Sequence, residues 1–447
     1  MLPDQLAKAL MLPTRGHFIG IDRNNRLFTF VFALFPGLLA SGTSVTLVCA
    51  FLWAIVSLAA KRFRFEMSRT DKIVGWCLTF YVFVTILSVV VHPDASKGIP
   101  FIFKMIPFLA IWAVLPRLRA SLPGRLVPFL ITGAGIGMIG SLIFSIVQIS
   151  FLSPRAEGGA GNAAVFGLFT VLFGSISLLN AHSDSRTERF IAIAGFACGL
   201  VCAFLSGTRS AWLVMPVNFA VLYWYLRGQT LPTITNVVKV VGAVTIVAII
   251  AIAAMKVTER YHALESDIVQ LDRQPDSINS LNARLMLWSA AKRALLASPL
   301  IGYGPQNRMS RVNEILNLPP DKKMSFTHVH NGFLNAAVDG GVLGVLAVLG
   351  LLAAPIIAAR KKVPGPGRDL AIAISLLLVS SYVITGMLGI MFGHDATDAV
   401  FIYLTMMICW ISGTSPYLSI PQLAAHAEAD ELTLSEFDQK LAMAKID

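Results

Sequence analysis

Charge is what this sequence has least of. Asp, Glu, Lys and Arg make up 14% of its 447 residues, where a soluble globular chain carries roughly 25%. The two or three soluble domains that the length alone suggests are therefore excluded. Cysteine is sparse too: Cys49, Cys77, Cys198, Cys202 and Cys409 all lie inside apolar runs. None sits where a disulfide framework needs it, and Cys198 and Cys202, one helical turn apart beside Gly199, Leu200 and Val201, read as packing residues. The opening residues MLPDQLAKALMLPTRGHF lack a long apolar core ahead of a small-residue cleavage site, so no removable signal peptide is expected. No repeat of roughly 20 to 50 residues is visible. The pair of broken helices in matching halves that points to an alternating-access transporter is missing as well.

What is there is apolar surface. Hydrophobic residues are 55% of the chain, with 28 Phe, and the mean hydropathy is +0.70. Lipid is the solvent for most of the chain, and collagen-like and disordered classes fall away. The formal charge of +11 would raise the question of nucleic acid in a soluble protein; in a membrane protein it sets orientation, and no nucleic-acid partner is expected.

A helix needs about 20 apolar residues to cross the hydrocarbon, and runs of that kind number about twelve. The fold expected is an all-α polytopic membrane protein. Leu27 to Ala60 is too long for one span and divides at Ser41-Gly42-Thr43 into a helical hairpin. Further runs cover 72–91, 99–115, 126–152, 162–179, 189–206, 209–226, 236–255, 332–359, 369–391 and 397–414. Residues 1–255 thus hold about nine spans, 256–331 form one large polar loop, 332–415 hold about three spans, and 416–447 are a tail. Basic residues recur in alternate short segments: Arg15, Arg23 and Arg26, then KRFRF with Arg69 and Lys72, then Arg117, Arg119 and Arg125. Arg186, Arg189, Arg227, Arg360, Lys361, Lys362 and Arg368 continue the series, while the other short loops hold only Lys97, Arg155 and Arg209. The positive-inside rule then places both termini in the cytoplasm and the large loop outside.

Within that loop SLNARLMLWSAAKRALL, Ser280 to Leu296, reads as an amphipathic helix capped by Ser280. Leu281, Leu285, Trp288 and Leu295 share its apolar face, interrupted by Lys292, with Arg284 at the edge and Asn282 and Arg293 opposite. LIGYGPQN follows as a Gly/Pro turn, not a potassium filter, since the preceding Thr-Val is missing. The tail from Pro421 reads as an acidic surface helix without chemistry.

The few polar groups gather on the outer face. They are Arg209 in SGTRSAW, Arg284, His328, His330 and Asn331 in FTHVHNGFL, Asp339 in AAVDGG, and His394, Asp395 and Asp398 in GHDATD. Ionisable residues at membrane depth are costly and point to function. THVHN admits three readings. It could give two metal ligands, although no HExxH or second HxH supplies a third; it could cap the next span; or a histidine could be a general base, with Asn331 orienting ring or substrate. Arg209 reads as an interfacial anchor or an anion ligand, and Arg284 as a cation stacked on Trp288 or an anion ligand. Asp339 beside Gly340 and Gly341 is a packing contact or a site carboxylate. Lys104 and Lys239 are expected to snorkel.

The order SGTRSAW, then SLNARLMLW…SPLIGYGPQN, then THVHNGFLNAAVDGGVLGVL, resembles the O-antigen ligase and polymerase superfamily, from about residue 160 to 415 by motif order. The resemblance implies a polytopic inner-membrane glycosyltransferase, working on the periplasmic face, that moves a glycan from an undecaprenyl-diphosphate carrier to lipid A-core or another glycan acceptor. It implies that Arg209 and Arg284 bind the diphosphate without a metal or other cofactor, and that His330 activates the acceptor hydroxyl. His328 matches the first histidine of the motif. His328, Asn331, Asp339 and Tyr303 are the expected substrate-binding residues. Ligase and polymerase share carrier, fold and base; a protein glycosyltransferase is a third member of the superfamily. A lipid-linked glycan flippase or other secondary transporter is the alternative from another class.

Overall fold

Backbone N–H and C=O groups in hydrocarbon have no water to bond, so a spanning run of this composition is a helix. The computed structural model describes residues 15–413 except 64, 93, 122–125, 230–257, 259–260, 263–264, 267–279, 319–325, 361–365 and 390. Its helices are α1 Arg15–Leu38, α2 Ala40–Ala59, α3 Arg69–Val90, α4 Ala95–Leu118 with a 3-10 turn at Ile106–Ala110, α5 Leu126–Phe151, α6 Ala163–Leu178 and α7 Arg186–Leu205. After these come α8 Arg209–Leu226, α9 Ser280–Ala297, α10 Arg308–Leu316, α11 Gly332–Arg360, α12 Pro366–Met387 and α13 Asp395–Ser412. No strand occurs among the described residues. Eight of these helices are long and apolar enough to span a bilayer, and α6 is a shorter apolar helix. The protein is a polytopic helical membrane protein; the expected span at 236–255, Lys239 and the tail from Pro421 lie outside the described residues.

The first hairpin does not turn at Ser41-Gly42-Thr43. It breaks at Leu39, between α1 and α2. Pro36, near the end of α1, cannot donate the i→i−4 bond. The turn is braced by the loop at Gly158 and Gly159, whose added Cβ atoms would lie 2.7 Å from the Gly37 carbonyl and 2.0 Å from the Leu38 carbonyl. Gly42 lies inside α2, and Phe35 packs where its side chain would be, with a ring carbon 2.8 Å from an added Cβ.

Helices approach closely where small residues face each other, as membrane packing without a hydrophobic drive requires. α7 meets α5 and α6 in this way: a Cβ at Gly195 would lie 2.5 Å from Gly135 Cα, and one at Gly199 3.0 Å from Gly174 Cα. α13 is the centre of the bundle, packed by α2, α11 and α12. It is 89% buried with the lowest hydropathy of the eight spans, 1.3, while α7 is 28% buried at 1.8. The polar span is thus inside the protein and the more apolar one faces out, as lipid demands.

The two ends of the bundle differ. At one, the Ser68 hydroxyl and Asp71 carboxylate form a capping box on α3, and Arg119 binds that carboxylate through Nε at 2.9 Å and a terminal nitrogen at 2.7 Å. Arg119 also donates to the Cys409 carbonyl near the end of α13. The opposite end, where α3 finishes and α4, α11 and α13 begin, carries α9, α10 and the histidines.

Candidate functional site

Two glycines set the site's framework. α11 breaks at Gly341, which has φ 59° and ψ −145°, and the chain between α9 and α10 lies across the break. Val342 N–H donates to the Pro299 carbonyl at 2.7 Å, Tyr303 N–H to Val338 at 2.8 Å and Gly304 N–H to Asp339 at 2.9 Å. Backbone groups freed by the break are thereby satisfied within the protein. Only glycine fits here: a Cβ at Gly341 would sit 2.5 Å from the Leu300 carbonyl carbon, and one at Gly302 2.5 Å from the Val338 oxygen.

α9 is held over this framework by Ala283, Leu287, Ala290, Ala291 and Ala294, which pack against Val312, Val329 and Val338. The buried face therefore differs from the expected leucine stripe. Leu285 is 47% exposed and Asn282, expected on the polar side, is buried, because the alanines allow the closer approach. Arg284 is half-buried at the edge of the buried face, next to Ala283.

The histidine segment is fixed at several points. Trp288 donates its indole N–H to the Val329 carbonyl at 3.0 Å, and Val329 N–H donates to the Asn335 side chain at 3.0 Å. Asn331 caps α11, its side-chain oxygen accepting from Phe333 and Leu334 N–H. The cap expected of a histidine thus belongs to Asn331. His330 has φ 55°, a left-handed conformation that costs a non-glycine residue about 1 kcal/mol or more and persists where surroundings over-determine it.

The rings of His328 and His330 lie 4.3 Å apart between centroids, and Phe326 packs edge-on against His330. Burial pushes the His328 pKa down to about 4, helped by His330, Arg308 and Arg284. Burial, then the Arg284 charge, also lowers that of His330. Both imidazoles are therefore neutral near pH 7.

Arg308, which the sequence did not mark, is held through all three of its guanidinium nitrogens. Its Nε donates to Asp339 Oδ1 at 2.7 Å and a terminal nitrogen donates to Asp339 Oδ2, while its other terminal nitrogen donates to the Thr327 carbonyl at 3.2 Å. Asp339 itself was the available signal, since a carboxylate in an apolar span implies a cationic partner. Tyr303 lies under the Arg311 guanidinium, 5.1 Å from ring centroid to Cζ. A cleft of about 710 Å³, including its open mouth, is lined by Tyr81, Ser88, Lys104, Arg308, Asn335 and Asp339 among others.

Arg209 begins α8 and is half-buried; the arginines whose charge acts on the imidazoles are Arg284 and Arg308. Lys104 does more than snorkel: its ammonium is 3.7 Å from Asp395. Asp398 is buried and accepts from Gly393 N–H. Burial lowers the pKa of His394. No group of three His, Cys, Asp or Glu suited to a metal occurs among the described residues.

Residues 194–349 match the family model of the O-antigen ligases. That stretch runs from α7 into α11 and contains Arg209, Arg284, Tyr303, Arg308, both histidines and Asp339. The resemblance to the O-antigen ligase superfamily therefore holds over the part of the chain that carries all three motifs. A protein of Haemophilus influenzae described as uncharacterized is 22% identical over 303 residues, covering 66% of this chain and 74% of its own length.

Proposed function

We propose that this chain is a membrane glycosyltransferase of the O-antigen ligase type. It transfers a polysaccharide from undecaprenyl diphosphate to an acceptor sugar, such as that of lipid A-core, on the periplasmic face of the inner membrane, with about twelve spans and both termini cytoplasmic. The observation that carries this reading is a pair of histidine rings 4.3 Å apart, under the charges of Arg284 and, at His328, Arg308, within the stretch that matches the O-antigen ligases.

His330 takes the proton of the acceptor hydroxyl. The hydroxyl oxygen forms a bond to the anomeric carbon, the bond from that carbon to the diphosphate oxygen breaks, and its electron pair leaves with the diphosphate. A single displacement of this kind inverts the anomeric centre. His330 is a better base than His328, because proton transfer is driven best by a pKa near the working pH and His328 is held down at about 4. Arg284 and Arg209 take the growing charge on the diphosphate, whose oxygens match a guanidinium fork. His328, Asn331 through its amide nitrogen, Tyr303 and Asp339 line the sugar path. Charge on the leaving group is met by arginine, so no divalent cation is needed.

A transporter of lipid-linked glycans would carry ions along a path through the bundle; the two histidines, Arg284, Arg308 and Asp339 sit together at one end of it, which favours transfer. The test is the envelope glycan of a deletion strain complemented with wild type, His330→Ala or Arg284→Ala, with insertion checked by immunoblot. The expected result is loss of polymer from lipid A with carrier-linked polymer accumulating. Accumulation of single repeat units instead assigns a polymerase, and wild-type glycan from both variants removes the site assignment.

A further inference from the structure

We infer that Arg308 and Asp339 form a positioning pair that holds the histidine segment in its working conformation, with Asp339 acting through Arg308. This rests on the reading of His330 as the base. Three observations meet here. The guanidinium is gripped on two nitrogens by Asp339, and its third nitrogen reaches the Thr327 carbonyl, next to His328. Arg308 is thus a bridge between α11 and the segment that turns left-handed at His330. The second observation is the register of the carboxylate. The Asp339 backbone oxygen accepts from Gly304 N–H, so the turn that leads into α10 and the carboxylate that binds α10's first residue are fixed by the same residue. The third is burial: the two side chains are 14% and 21% exposed, low enough for a two-pronged ion pair to count for more than a surface one.

The other ties on the segment, Trp288 to the Val329 carbonyl and Asn335 to Val329 N–H, hold its middle. Arg308 alone among these holds its start. Without it, the tie at the Thr327 carbonyl is gone, and the left-handed turn at His330 loses part of what over-determines it. Arg308 also lines the cleft while its charge acts on His328, so one residue links cleft geometry to the imidazoles.

The experiment measures carbethoxylation of individual histidines by diethyl pyrocarbonate at pH 8, read by mass spectrometry on the purified full-length protein in nanodiscs, for wild type, Arg308→Gln, Arg308→Lys, Asp339→Asn and the Arg308→Gln/Asp339→Asn double variant. Loss of a tie worth about 1 kcal/mol makes the open segment about fivefold more populated, so His328 and His330 are expected to react about that much faster in each Asp339 and Gln variant. The double variant is expected to equal the single ones, because both remove the same bridge. Arg308→Lys, which keeps charge but not the fork, is expected to fall between. His182, in the turn after α6, is the internal control for an intact fold. Unchanged rates at His328 and His330 overturn the pair, as do additive effects in the double variant, which would give Asp339 a separate role. The glycan phenotype is measured on the same variants and on His330→Ala. Faster carbethoxylation with wild-type glycan from His330→Ala would leave the positioning pair standing and remove the function assigned to the base, so the two failures are distinct.

Discussion

The His328 and His330 rings stand 4.3 Å apart between centroids, close enough that a proton on one opposes a proton on the other. Burial first, then the arginine charges, lowers the pKa of both rings, and the neighbouring His330 adds to the effect on His328. For transfer activity this fixes the direction of the pH dependence. The base must be neutral, and the His330 pKa lies below its ordinary value near 6.5. Activity in membrane vesicles is therefore expected to hold as pH falls through 6.5 and to decline only at lower pH. An acid limb centred at or above 6.5 would contradict a buried, arginine-flanked base.

Stability of the same segment follows the same sign. A histidine whose folded pKa is depressed favours folding while neutral, so its contribution is complete above about 6.5 and is lost as pH falls toward and past the folded value. With His328 at about 4, proteolytic protection of residues 326–331 is expected to weaken across that window. Limited proteolysis at pH 7 and pH 4.5 checks it, and His328→Gln is expected to flatten the difference.

Removing the base should cost more than removing its neighbour. General base catalysis contributes about 10²- to 10⁴-fold, so His330→Ala is expected to lower the transfer rate by that order with little change in membrane insertion. His328→Ala should retain more activity. Arg284→Lys should recover only part of what Arg284→Ala loses, because an ammonium lacks the fork that meets two phosphate oxygens. A chelator is expected to leave wild-type transfer unchanged. The check is release of carrier and formation of product in vesicles open on the outer side.

How much of this was legible in the sequence depended on periodicity. Apolar runs located most of the described helices to within a few residues, since composition alone forces them into helices; α1 is the exception, beginning at Arg15 and not at the apolar run from Leu27. The α9 face was misassigned because leucine spacing suggests a core stripe, whereas alanines at 283, 290, 291 and 294 make the closest packing surface; small residues carry little hydrophobic signal and much steric permission. Arg308 was missed for another reason. Nothing local in QNRMSR marks it, and its partner Asp339 is 31 residues away, brought near by the turn that lies across the break at Gly341. The glycine pair beside Asp339 hinted at that break, but a GG within a span reads equally as helix packing.

The break itself is testable. Alanine at Gly341 would need φ 59° and would meet the Leu300 backbone at 2.5 Å, so Gly341→Ala is expected to destabilise by about 1–3 kcal/mol. It should also detach the 299–304 segment, and with it the Arg308 bridge. Gly350, in the same helix with no atom within 4 Å of an added Cβ, is the control. Gly350→Ala should be neutral or slightly stabilising, since alanine is the better helix former. Thermal unfolding of the two variants separates a steric requirement at 341 from a general intolerance of substitution in α11.

At the far end of the bundle, Asp71 and Arg119 are 2% and 4% exposed at their side chains and have no part in the proposed chemistry. Breaking a buried pair by removing one partner leaves an uncompensated charge and costs about 3–5 kcal/mol. Asp71→Ala also loses the carboxylate that accepts from Ser68 N–H. Asp71→Ala is therefore expected to lower the melting temperature more than Arg119→Met does, and the Asp71→Ala/Arg119→Met double variant should be less unstable than the sum of the two, because no lone charge remains. The protein that stays folded should transfer glycan at the wild-type rate per molecule, since the histidines and arginines of the site lie at the other end. A fall in that specific rate would mean that the ion pair is coupled to the site through α13, which runs from Asp395 beside Lys104 to the Cys409 carbonyl on Arg119.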